Sequence, residues 1–351
     1  MTDTIDTGAT TDVVIERRGR ALWLTLNRPA ALNALTHSMC NTIQRALYES
    51  MGDATIALAV IEGAGERAFC AGGDVVAMHA ARADAATWES FFRDEYRMNQ
   101  TIARYPDPYV AILDGIVMGG GVGLSIHGRY RVATERTLFA MPETAIGMIP
   151  DVGATHALPR LPGEIGTWLA LSGARLKAAD CFYAGIATHF VPDDRLPVLR
   201  DLLATGDEEP GAILDTLHAD TGEAPLEALR DAIDFHFAHD SVEAIVASLA
   251  TGDDWALAQH RTIMAMSPTA LKLTLRAIRA GEDADIEDAL RTEFRVVSHL
   301  RTGHDFFEGI RAMLIDKDKT PIWVPPTLAA VDDASLDPYF AGPVNSDLNF
   351  E

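Results

Sequence analysis

Residues 109–124 read YVAILDGIVMGGGVGL and combine the two features that decide the fold class. The first part, Tyr109–Leu113, is an apolar run of strand length without polar alternation, which is typical of a strand buried on both faces. The glycine cluster Gly119–Gly123 comes a few residues later and precedes a helical stretch. Repeated units of a strand followed by a helix predict an α/β fold with a partly parallel sheet.

Strand and helix signals continue on both sides of this stretch. Thr36 is a candidate N-cap for a helix over residues 37–50. Further strands are predicted at Val13–Glu16, Ala21–Leu26, Ile56–Ile61 and Tyr130–Ala133. From about residue 203 onward amphipathic patterns dominate. Helices are predicted there at about 268–280, 284–301 and 303–315.

These patterns divide the sequence into four consecutive parts. Residues 1–11 are polar and acidic and are predicted to form a disordered lead. Residues 12–200 carry the strand–helix units and the glycine clusters, and residues 201–320 form a helical region. Residues 321–351 begin with a proline-rich segment and are predicted to form an extended tail.

The charge balance excludes two classes of partner. The chain has 351 residues with 51 Asp and Glu against 29 Lys and Arg, a formal net charge of −22. Nucleic-acid binding and polybasic membrane anchoring both need an extended basic surface, so neither is expected. Apolar runs are also too short or too interrupted to span a membrane.

The cysteines indicate a reducing compartment. Cys40, Cys70 and Cys181 are odd in number and lack the spacing of metal ligands, so we expect reduced thiols and no metal site. The first twelve residues also lack the basic and apolar segments of a signal peptide. The sequence therefore predicts a cytoplasmic protein.

Two glycine clusters, Cys70–Asp74 and Gly119–Gly123, are candidates for ligand contact. Glycine allows unusual backbone angles and lets a ligand approach the amide nitrogens closely. Tight turns with close helix packing explain either cluster alone equally well. A dinucleotide-binding loop would need a third glycine after Gly123, and a serine nucleophile elbow around Ser125 lacks its closing glycine.

Glu95 is placed unusually among the acidic residues. In a helix over residues 88–102 its neighbours at helical spacing are apolar, so Glu95 falls at the centre of the apolar face. These neighbours are Trp88, Phe91, Phe92, Met98 and Ile102. A carboxylate there is costly unless it is paired, hydrogen-bonded or protonated, and both a structural pair and a functional role fit.

Glu143 and Asp151 lie in a second unusual segment, residues 141–153. Two prolines and two glycines argue against a regular helix, and the remaining residues are largely apolar. Burial tends to raise the pKa of a carboxyl group, which suits proton transfer near neutral pH. The segment therefore predicts an acid/base site.

Together these motifs resemble the crotonase superfamily, also called the enoyl-CoA hydratase/isomerase family. The motifs that carry the resemblance are residues 26–29 (LNRP), 32–35 (LNAL), 68–74 (AFCAGGD), 115–124 (GIVMGGGVGL) and 142–143 (PE). Within the superfamily the chain looks most similar to the branch of 3-hydroxyisobutyryl-CoA hydrolases, which are thioesterases of valine breakdown. That similarity rests on residues 91–96, 139–147, 150–153, 184–190 and 346–350.

The resemblance implies a fold and a role for single residues. The fold would be the crotonase spiral of ββα units followed by helices. Gly73 and Gly120 match the positions whose backbone N–H groups hold the thioester oxygen in an oxyanion hole. Glu143 and Asp151 match catalytic acids of the hydrolases, and Glu95 matches a substrate-binding acid. The resemblance leaves open whether Glu143 activates water or attacks the carbonyl directly.

One position departs from the hydratases. Their first catalytic glutamate aligns with Gly123 here, whereas the second is retained as Glu143. Glycine cannot position or deprotonate water, so the resemblance favours thioester cleavage over hydration of a double bond. An enoyl-CoA hydratase or isomerase that uses Glu95 instead, and a catalytically silent CoA-binding protein, remain alternatives.

The remaining expectations concern ligands and partners. The resemblance implies an acyl-CoA substrate, no cofactor besides the coenzyme A of that substrate, and a homo-oligomer such as a trimer or hexamer. Arg67, near the first glycine cluster, and Lys272, on the predicted helix after Pro268, are candidates for contact with the CoA phosphates. Both are equally well explained as solvated surface cations.

Overall fold

The computed structural model describes residues 2–4, 11–342 and 347–350. Its contacts divide the chain into two compact units. The first comprises Met1–Gly73, Arg97–Phe139 and Arg175–Glu227, and the second comprises Asp74–Tyr96, Ala140–Ala174 and Ala228–Glu351. Each unit collects three separate segments, so the units do not coincide with the consecutive boundaries at residues 12, 201 and 321, which stay a prediction.

The first unit contains a seven-stranded sheet with the order β1-β2-β3-β4-β6-β8-β10. Its strands are β1 (Thr2–Thr4), β2 (Val13–Arg18), β3 (Ala21–Leu26), β4 (Leu58–Gly63), β6 (Tyr109–Leu113), β8 (Tyr130–Ala133) and β10 (His189–Phe190). The first three strands are antiparallel, and β3, β4, β6, β8 and β10 run parallel. In register, Trp23 lies opposite Val60. The predicted parallel sheet is therefore present.

A smaller sheet has the order β5-β7-β9. It consists of β5 (Ala68–Cys70), β7 (Ile116–Met118) and β9 (Leu138–Ala140). The strands β5 and β7 are parallel, with Ala68 opposite Ile116 and Cys70 opposite Val117. Because parallel strands end at the same edge of a sheet, the segments that follow β5 and β7 leave the sheet side by side.

Sixteen helices are present in the described part of the chain, and several match the predicted positions. They are α1 (His37–Ser50), α2 (Val75–Ala80), α3 (Ala85–Ala103), α4 (Gly120–Gly123), α5 (Ala154–Ala157), α6 (Ile165–Ser172), α7 (Ala178–Tyr183), α8 (Leu196–Thr205), α9 (Pro210–Leu217), α10 (Pro225–Phe237), α11 (Val242–Leu249), α12 (Asp254–Met264), α13 (Pro268–Gly281), α14 (Ile286–Leu300), α15 (Asp305–Ile310) and α16 (Asp337–Phe340). The predicted N-cap of α1 is confirmed, since the Thr36 side chain accepts a bond from the Met39 N–H. No helix within the described ranges is long and apolar enough to cross a bilayer.

One core of the first unit lies against its larger sheet. Helices α8 and α9 contribute their apolar sides, and the strands contribute alternate residues. The buried members are Ala21, Trp23, Leu58, Val60, Val110, Ile112, Val132, Val191, Leu196, Leu199, Leu203, Ile213 and Leu214. Burial of the Val, Leu and Ile side chains in this set, each worth about 1.5–3 kcal/mol, fixes the sheet as the scaffold of the unit.

The second unit is built on α13 and α14, which pack against each other and against α5. Both helices are strongly amphipathic. Leu271, Leu275 and Ile278 are buried on α13, and Leu290 and Val297 are buried on α14. The amphipathic pattern explains why the sequence predicts these two helices well.

Three local predictions differ from the structure. Residues 2–4 form β1 and pair with β2, so this part of the predicted disordered lead is a strand, while residues 5–10 lie outside the described residues. The predicted extended tail contains turns of 3-10 helix at Leu328–Ala330 and Asp333–Leu336 and then α16. The predicted helix at 303–315 is α15 followed by a π-helical turn at Arg311–Ile315.

Candidate active site

The two glycine clusters meet within the first unit. A Cβ atom added to Gly72 would lie 3.9 Å from the Gly120 nitrogen, and one added to Gly121 would lie 2.3 Å from the Cys70 carbonyl oxygen. The loops after β5 and β7 therefore contact each other backbone to backbone. This close approach requires glycine at position 121, and Gly72 also has a positive φ of 119°.

Two backbone N–H groups in these loops are oriented away from the sheet ladder. Leu35 forms a parallel bridge with Gly73 in which the Leu35 N–H donates to the Gly72 carbonyl at 2.8 Å. This pattern leaves the Gly73 N–H outside the bridge. Gly120 is the first residue of α4, so its N–H has no intrahelical partner. Gly73 and Gly120 thus each place one backbone N–H in adjoining loops, and their role as an oxyanion hole stays a prediction.

The second unit contains the three predicted site acids, Glu95, Glu143 and Asp151. Glu95 lies on α3 and is only 2% exposed, and the apolar neighbours predicted from its helix face are buried. Its Oε1 atom has no hydrogen-bond partner among the described residues. Burial, together with the nearby charge of Asp151, raises the pKa of Glu95 well above its usual range. No arginine pairs with this carboxyl group in the described structure, so its burial is not explained by an ion pair.

Asp151 is fixed by a hydrogen bond from a neighbouring phenol. The Tyr96 hydroxyl donates to Asp151 Oδ2 at 2.6 Å. Burial raises the pKa of Asp151 to about 7, and the bond from Tyr96 acts in the opposite direction by stabilising the ionised form. The Asp151 carboxyl group consequently changes its protonation state near neutral pH.

Glu143 occupies the first position of a single 3-10 turn, Glu143–Ile146, three residues after β9. The absence of a regular helix in this segment agrees with the prediction. The side chain is buried, and its Oε2 atom has no partner among the residues described. Burial and the charge of Asp151 raise the pKa of Glu143 well above its usual range. An unpartnered, strongly basic carboxylate oxygen is suited to proton abstraction or nucleophilic attack.

Sequence reasoning missed two residues of this cluster, Tyr96 and Glu293. Glu293 is fully buried on α14, and burial plus the charge of Asp151 raise its pKa to about 8. The helix-face projection that identifies Glu95 would also have found Glu293, since Leu290, Val296 and Val297 flank it at helical spacing. Tyr96 carries no comparable signal, because a buried tyrosine on an apolar helix face is ordinary.

The two predicted CoA contacts lie in different surroundings. Arg67 is exposed in the loop before β5, in the same unit as the glycine loops. The Lys272 ammonium group lies 2.7 Å from Glu243 Oε1 and 2.7 Å from Asp333 Oδ1, and it donates to the Val331 carbonyl at 3.1 Å. Lys272 would therefore have to leave two carboxylates to reach a phosphate.

The structure places all three cysteines in buried positions. Within the described residues, none of Cys40, Cys70 and Cys181 forms a disulfide bond. Cys70 is packed under the first glycine loop, with its thiol 3.6 Å from the Gly72 carbonyl. No group of three His, Cys, Asp or Glu residues in the described ranges is arranged to hold a metal ion.

Comparisons with known proteins identify the family of the chain. The family model described as enoyl-CoA hydratase/isomerase matches residues 21–340. The chain is 45% identical to the mitochondrial 3-hydroxyisobutyryl-CoA hydrolase of Rattus norvegicus, over 97% of this chain and 91% of the relative. It is 44% identical to the human protein of the same name, over 98% and 92% of the two chains.

Solved structures show the same fold over nearly the whole chain. A carnitinyl-CoA dehydratase from Mycobacterium thermoresistibile superposes with a TM-score of 0.92 at 43% identity, covering 97% of this chain and 99% of that one. An enoyl-CoA hydratase from Rhodobacter sphaeroides gives a TM-score of 0.90 at 41% identity, covering 97% and 100%. The predicted crotonase-like α/β fold is thereby confirmed. Since both the family model and these relatives match the chain almost from end to end, the protein belongs to the enoyl-CoA hydratase/isomerase family.

Proposed function

We propose that this protein hydrolyses the thioester bond of 3-hydroxyisobutyryl-CoA, or of a similar short 3-hydroxyacyl-CoA, to the free hydroxy acid and coenzyme A. The observation that carries the proposal is a buried Glu143 with a free carboxylate oxygen, combined with glycine at position 123. Glu143 supplies one strong base. The second glutamate that hydration needs is absent, because glycine stands at position 123. Relatives at about 45% identity are named 3-hydroxyisobutyryl-CoA hydrolase. We infer that the reaction is a step of valine breakdown.

The Gly73 and Gly120 amides would hold the carbonyl oxygen of the substrate. Negative charge develops on this oxygen when the carbonyl carbon is attacked, and two fixed N–H donors stabilise it by roughly 3 kcal/mol each. The mechanism requires that these amides and Glu143 act on the same thioester. A Gly120→Pro variant, which removes one donor without adding a charged group, tests the contribution of the Gly120 amide through kcat.

Glu143 performs the central step by one of two routes. As a base, its carboxylate takes a proton from water while the water oxygen attacks the carbonyl carbon. The tetrahedral intermediate then expels the CoA thiolate, which receives the proton. As a nucleophile, Glu143 attacks the carbonyl itself, releases CoA thiolate and forms an anhydride that water hydrolyses. Asp151 would orient water or the substrate hydroxyl, and Glu95 would line the acyl pocket.

A substrate panel tests the proposed reaction directly. Release of free thiol and loss of alkene absorbance are followed with 3-hydroxyisobutyryl-CoA, 3-hydroxypropionyl-CoA and crotonyl-CoA. We expect thiol release from the two hydroxyacyl substrates, and a near-complete loss of this activity in Glu143→Gln and Glu143→Ala. Glu208→Gln, at an exposed glutamate, is the matched control. Turnover close to the wild type in either Glu143 variant would contradict the central role of Glu143.

Oxygen labelling separates the two routes. In water enriched in ¹⁸O, the anhydride route leaves label in the Glu143 side chain in every turnover in which water attacks the Glu143 carbonyl carbon of the anhydride. The base route puts label only into the hydroxy acid. Mass spectrometry of the peptide that contains Glu143 reads the difference.

A second candidate function is hydration of an enoyl-CoA. Structures with 41–43% identity carry dehydratase and hydratase names, and Glu95 offers a buried carboxyl group with a free oxygen that could replace the acid missing at Gly123. Loss of crotonyl-CoA absorbance without free thiol, abolished by Glu95→Gln, would favour this reaction over hydrolysis.

The remaining assignments are also proposals. We expect no cofactor besides substrate CoA, a trimer or hexamer in size-exclusion chromatography with light scattering, and a cytoplasmic location, although the relatives are named mitochondrial.

Arg67→Ala and Lys272→Met test the CoA phosphate contacts. For Arg67, whose guanidinium is exposed, we expect a several-fold higher KM at constant kcat. Lys272 contacts a phosphate only if Lys272→Met has the same effect.

A further inference from the structure

Glu293 makes three hydrogen bonds to the turn that follows Asp151. Its Oε2 atom accepts from the Gly153 N–H at 2.7 Å. Its Oε1 atom accepts from the Thr155 N–H at 2.9 Å and from the Thr155 hydroxyl at 2.6 Å. The side chain is fully buried in the middle of α14. All of the groups involved belong to the second unit.

This turn needs an external partner for its backbone. Helix α5 starts after Gly153, which has no side chain to cap the first amides. The Ala154 N–H is satisfied by the Asp151 carbonyl at 2.9 Å, and Glu293 accepts from the Gly153 and Thr155 N–H groups. Glu293 therefore caps α5 from another helix.

The turn is also strained. Val152 has a φ of +57° and is buried, and Gly153 has a φ of +82°. A β-branched residue in the left-handed region is a genuine outlier that persists only when its surroundings enforce it. The first hydrogen bond that Glu293 accepts comes from Gly153, one residue after Val152, so Glu293 is placed to hold Val152 in this conformation.

Helix α14 supports both partners of the Asp151–Tyr96 hydrogen bond. Glu293 holds the turn beside Asp151, and the next residue, Phe294, packs edge-on against the Tyr96 ring with centroids 6.4 Å apart. The two groups that meet at 2.6 Å are thus supported from the same helix turn.

We propose that Glu293 is a positioning residue of the thioesterase reaction, which holds the Val152–Gly153 turn so that the Asp151 carboxyl group stays at the Tyr96 hydroxyl. The inference rests on the proposed hydrolase function. The titratable groups around Asp151 are Glu95 and Tyr96 from α3, Glu143 from its 3-10 turn and Glu293 from α14. Glu293 contributes no reacting atom and acts through Asp151.

The variant Glu293→Gln tests this role with little change of volume. Each carboxyl oxygen of Glu293 accepts from a backbone N–H. A glutamine in either orientation therefore turns its NH₂ group toward one of these donors and loses that bond. A protonated glutamic acid keeps a lone pair on both oxygens and does not lose it. Thr155→Val is the milder variant, because it removes only the hydroxyl bond.

We expect Glu293→Gln to lower kcat about 10- to 100-fold, as a displacement of about 1 Å does, with KM within about threefold of the wild type. The kcat of Thr155→Val should lie between those of Glu293→Gln and the wild type. Ser298→Ala is the matched control on the same helix, since its hydroxyl bonds only the Phe294 carbonyl in the structure described.

A second readout does not depend on turnover. Infrared titration of protein labelled with ¹³C-aspartate, assigned with Asp151→Asn, follows the Asp151 carboxyl group directly. If the turn loosens, Asp151 loses the hydroxyl that stabilises its anion, so its midpoint should rise in Glu293→Gln. Loss of the Glu293 charge acts in the opposite direction, but this effect is small because Glu293, with a pKa of about 8, is largely protonated where Asp151 titrates. Thr155→Val keeps Glu293 and shows the rise without this effect. This titration separates the two proposals, because it still reports on Glu293 when the wild type releases no thiol.

The inference is overturned if folded Glu293→Gln matches Ser298→Ala in both kcat and the Asp151 midpoint. If Glu293→Gln does not fold, Thr155→Val decides. A kcat and a midpoint equal to those of Ser298→Ala would then overturn the proposal, and a lower kcat with a raised midpoint would support it.

Discussion

Asp151→Asn should make the protein more stable, and more so at high pH. Burial raises the pKa of Asp151 from 3.8 to about 7, so the native state holds this proton in a pH range where the unfolded chain has lost it. The raised pKa of Asp151 therefore lowers the free energy of unfolding of the wild type. This loss is absent below pH 4, grows as the pH rises and becomes constant above about pH 7. At 1.36 kcal/mol per pKa unit it reaches about 4 kcal/mol.

The substitution replaces the ionisable group and keeps an oxygen that can accept from Tyr96 at the same place. Any cost of the new amide is independent of pH, so the pH-dependent part isolates the ionisation. Between pH 5 and pH 8 the stability difference between variant and wild type should grow by about 3 kcal/mol. Asp151→Asn also removes the charge that raises the pKa of Glu143 and Glu95. This further increases the stability of the variant at high pH.

Urea unfolding from pH 4.5 to pH 8.5 at one fixed protein concentration measures the effect, since any oligomer makes stability depend on concentration. Asp201→Asn, at an exposed aspartate of α8, is the matched control. A stability difference between Asp151→Asn and wild type that stays constant across this range would refute the assignment of a raised pKa to Asp151.

Three further results are expected. Tyr96→Phe should raise the pKa of Asp151, because the lost hydroxyl stabilises the ionised form, and should lower kcat; an unchanged infrared midpoint for Asp151 would contradict this. Gly121→Ala should lower the free energy of unfolding by about 1–3 kcal/mol in urea, since its Cβ would lie 2.3 Å from the Cys70 carbonyl oxygen. With a net charge of −22, kcat/KM for an anionic CoA thioester should not fall steeply with added salt; a steep fall would reveal a basic surface that attracts the substrate.

The fold could be predicted where one element carries its own signal. Helix α1 has the predicted bounds because Thr36 caps it and its apolar face is regular. The strand predicted at 56–61 is β4 at Leu58–Gly63, since Ile56 is held in a turn by the Asp53 carbonyl. Boundaries depend on such turn bonds, which the apolar pattern alone does not contain.

The candidate site was predictable only in part, for a different reason. Glu95 and Glu143 are identified by local context, because a carboxylate on an apolar face or in an apolar segment is costly. The contact between the loops of Gly72 and Gly120 depends on pairing of β5 with β7, which lie more than 40 residues apart in the chain. No local pattern encodes a partner at that distance, and the bond between Tyr96 and Asp151 was missed for the same reason.

The acidic residues of this chain fall into two groups, those that are solvated and those that are buried. Most of the 51 acidic residues can be solvated at little cost, whereas Glu95, Glu143, Asp151 and Glu293 are buried. Since Asp151 raises the pKa of the other three, they cannot all be ionised together at moderate cost.

This crowding has a chemical consequence for Glu143. A raised pKa reduces the fraction of Glu143 that is ionised at neutral pH, but it makes each ionised carboxylate a stronger base than an exposed glutamate. Removing the Asp151 charge should therefore increase the ionised fraction and decrease the basicity of Glu143. A hydrolase that depends on basicity will lose rate in Asp151→Asn although the protein becomes more stable, so the two measurements on one variant should move in opposite directions.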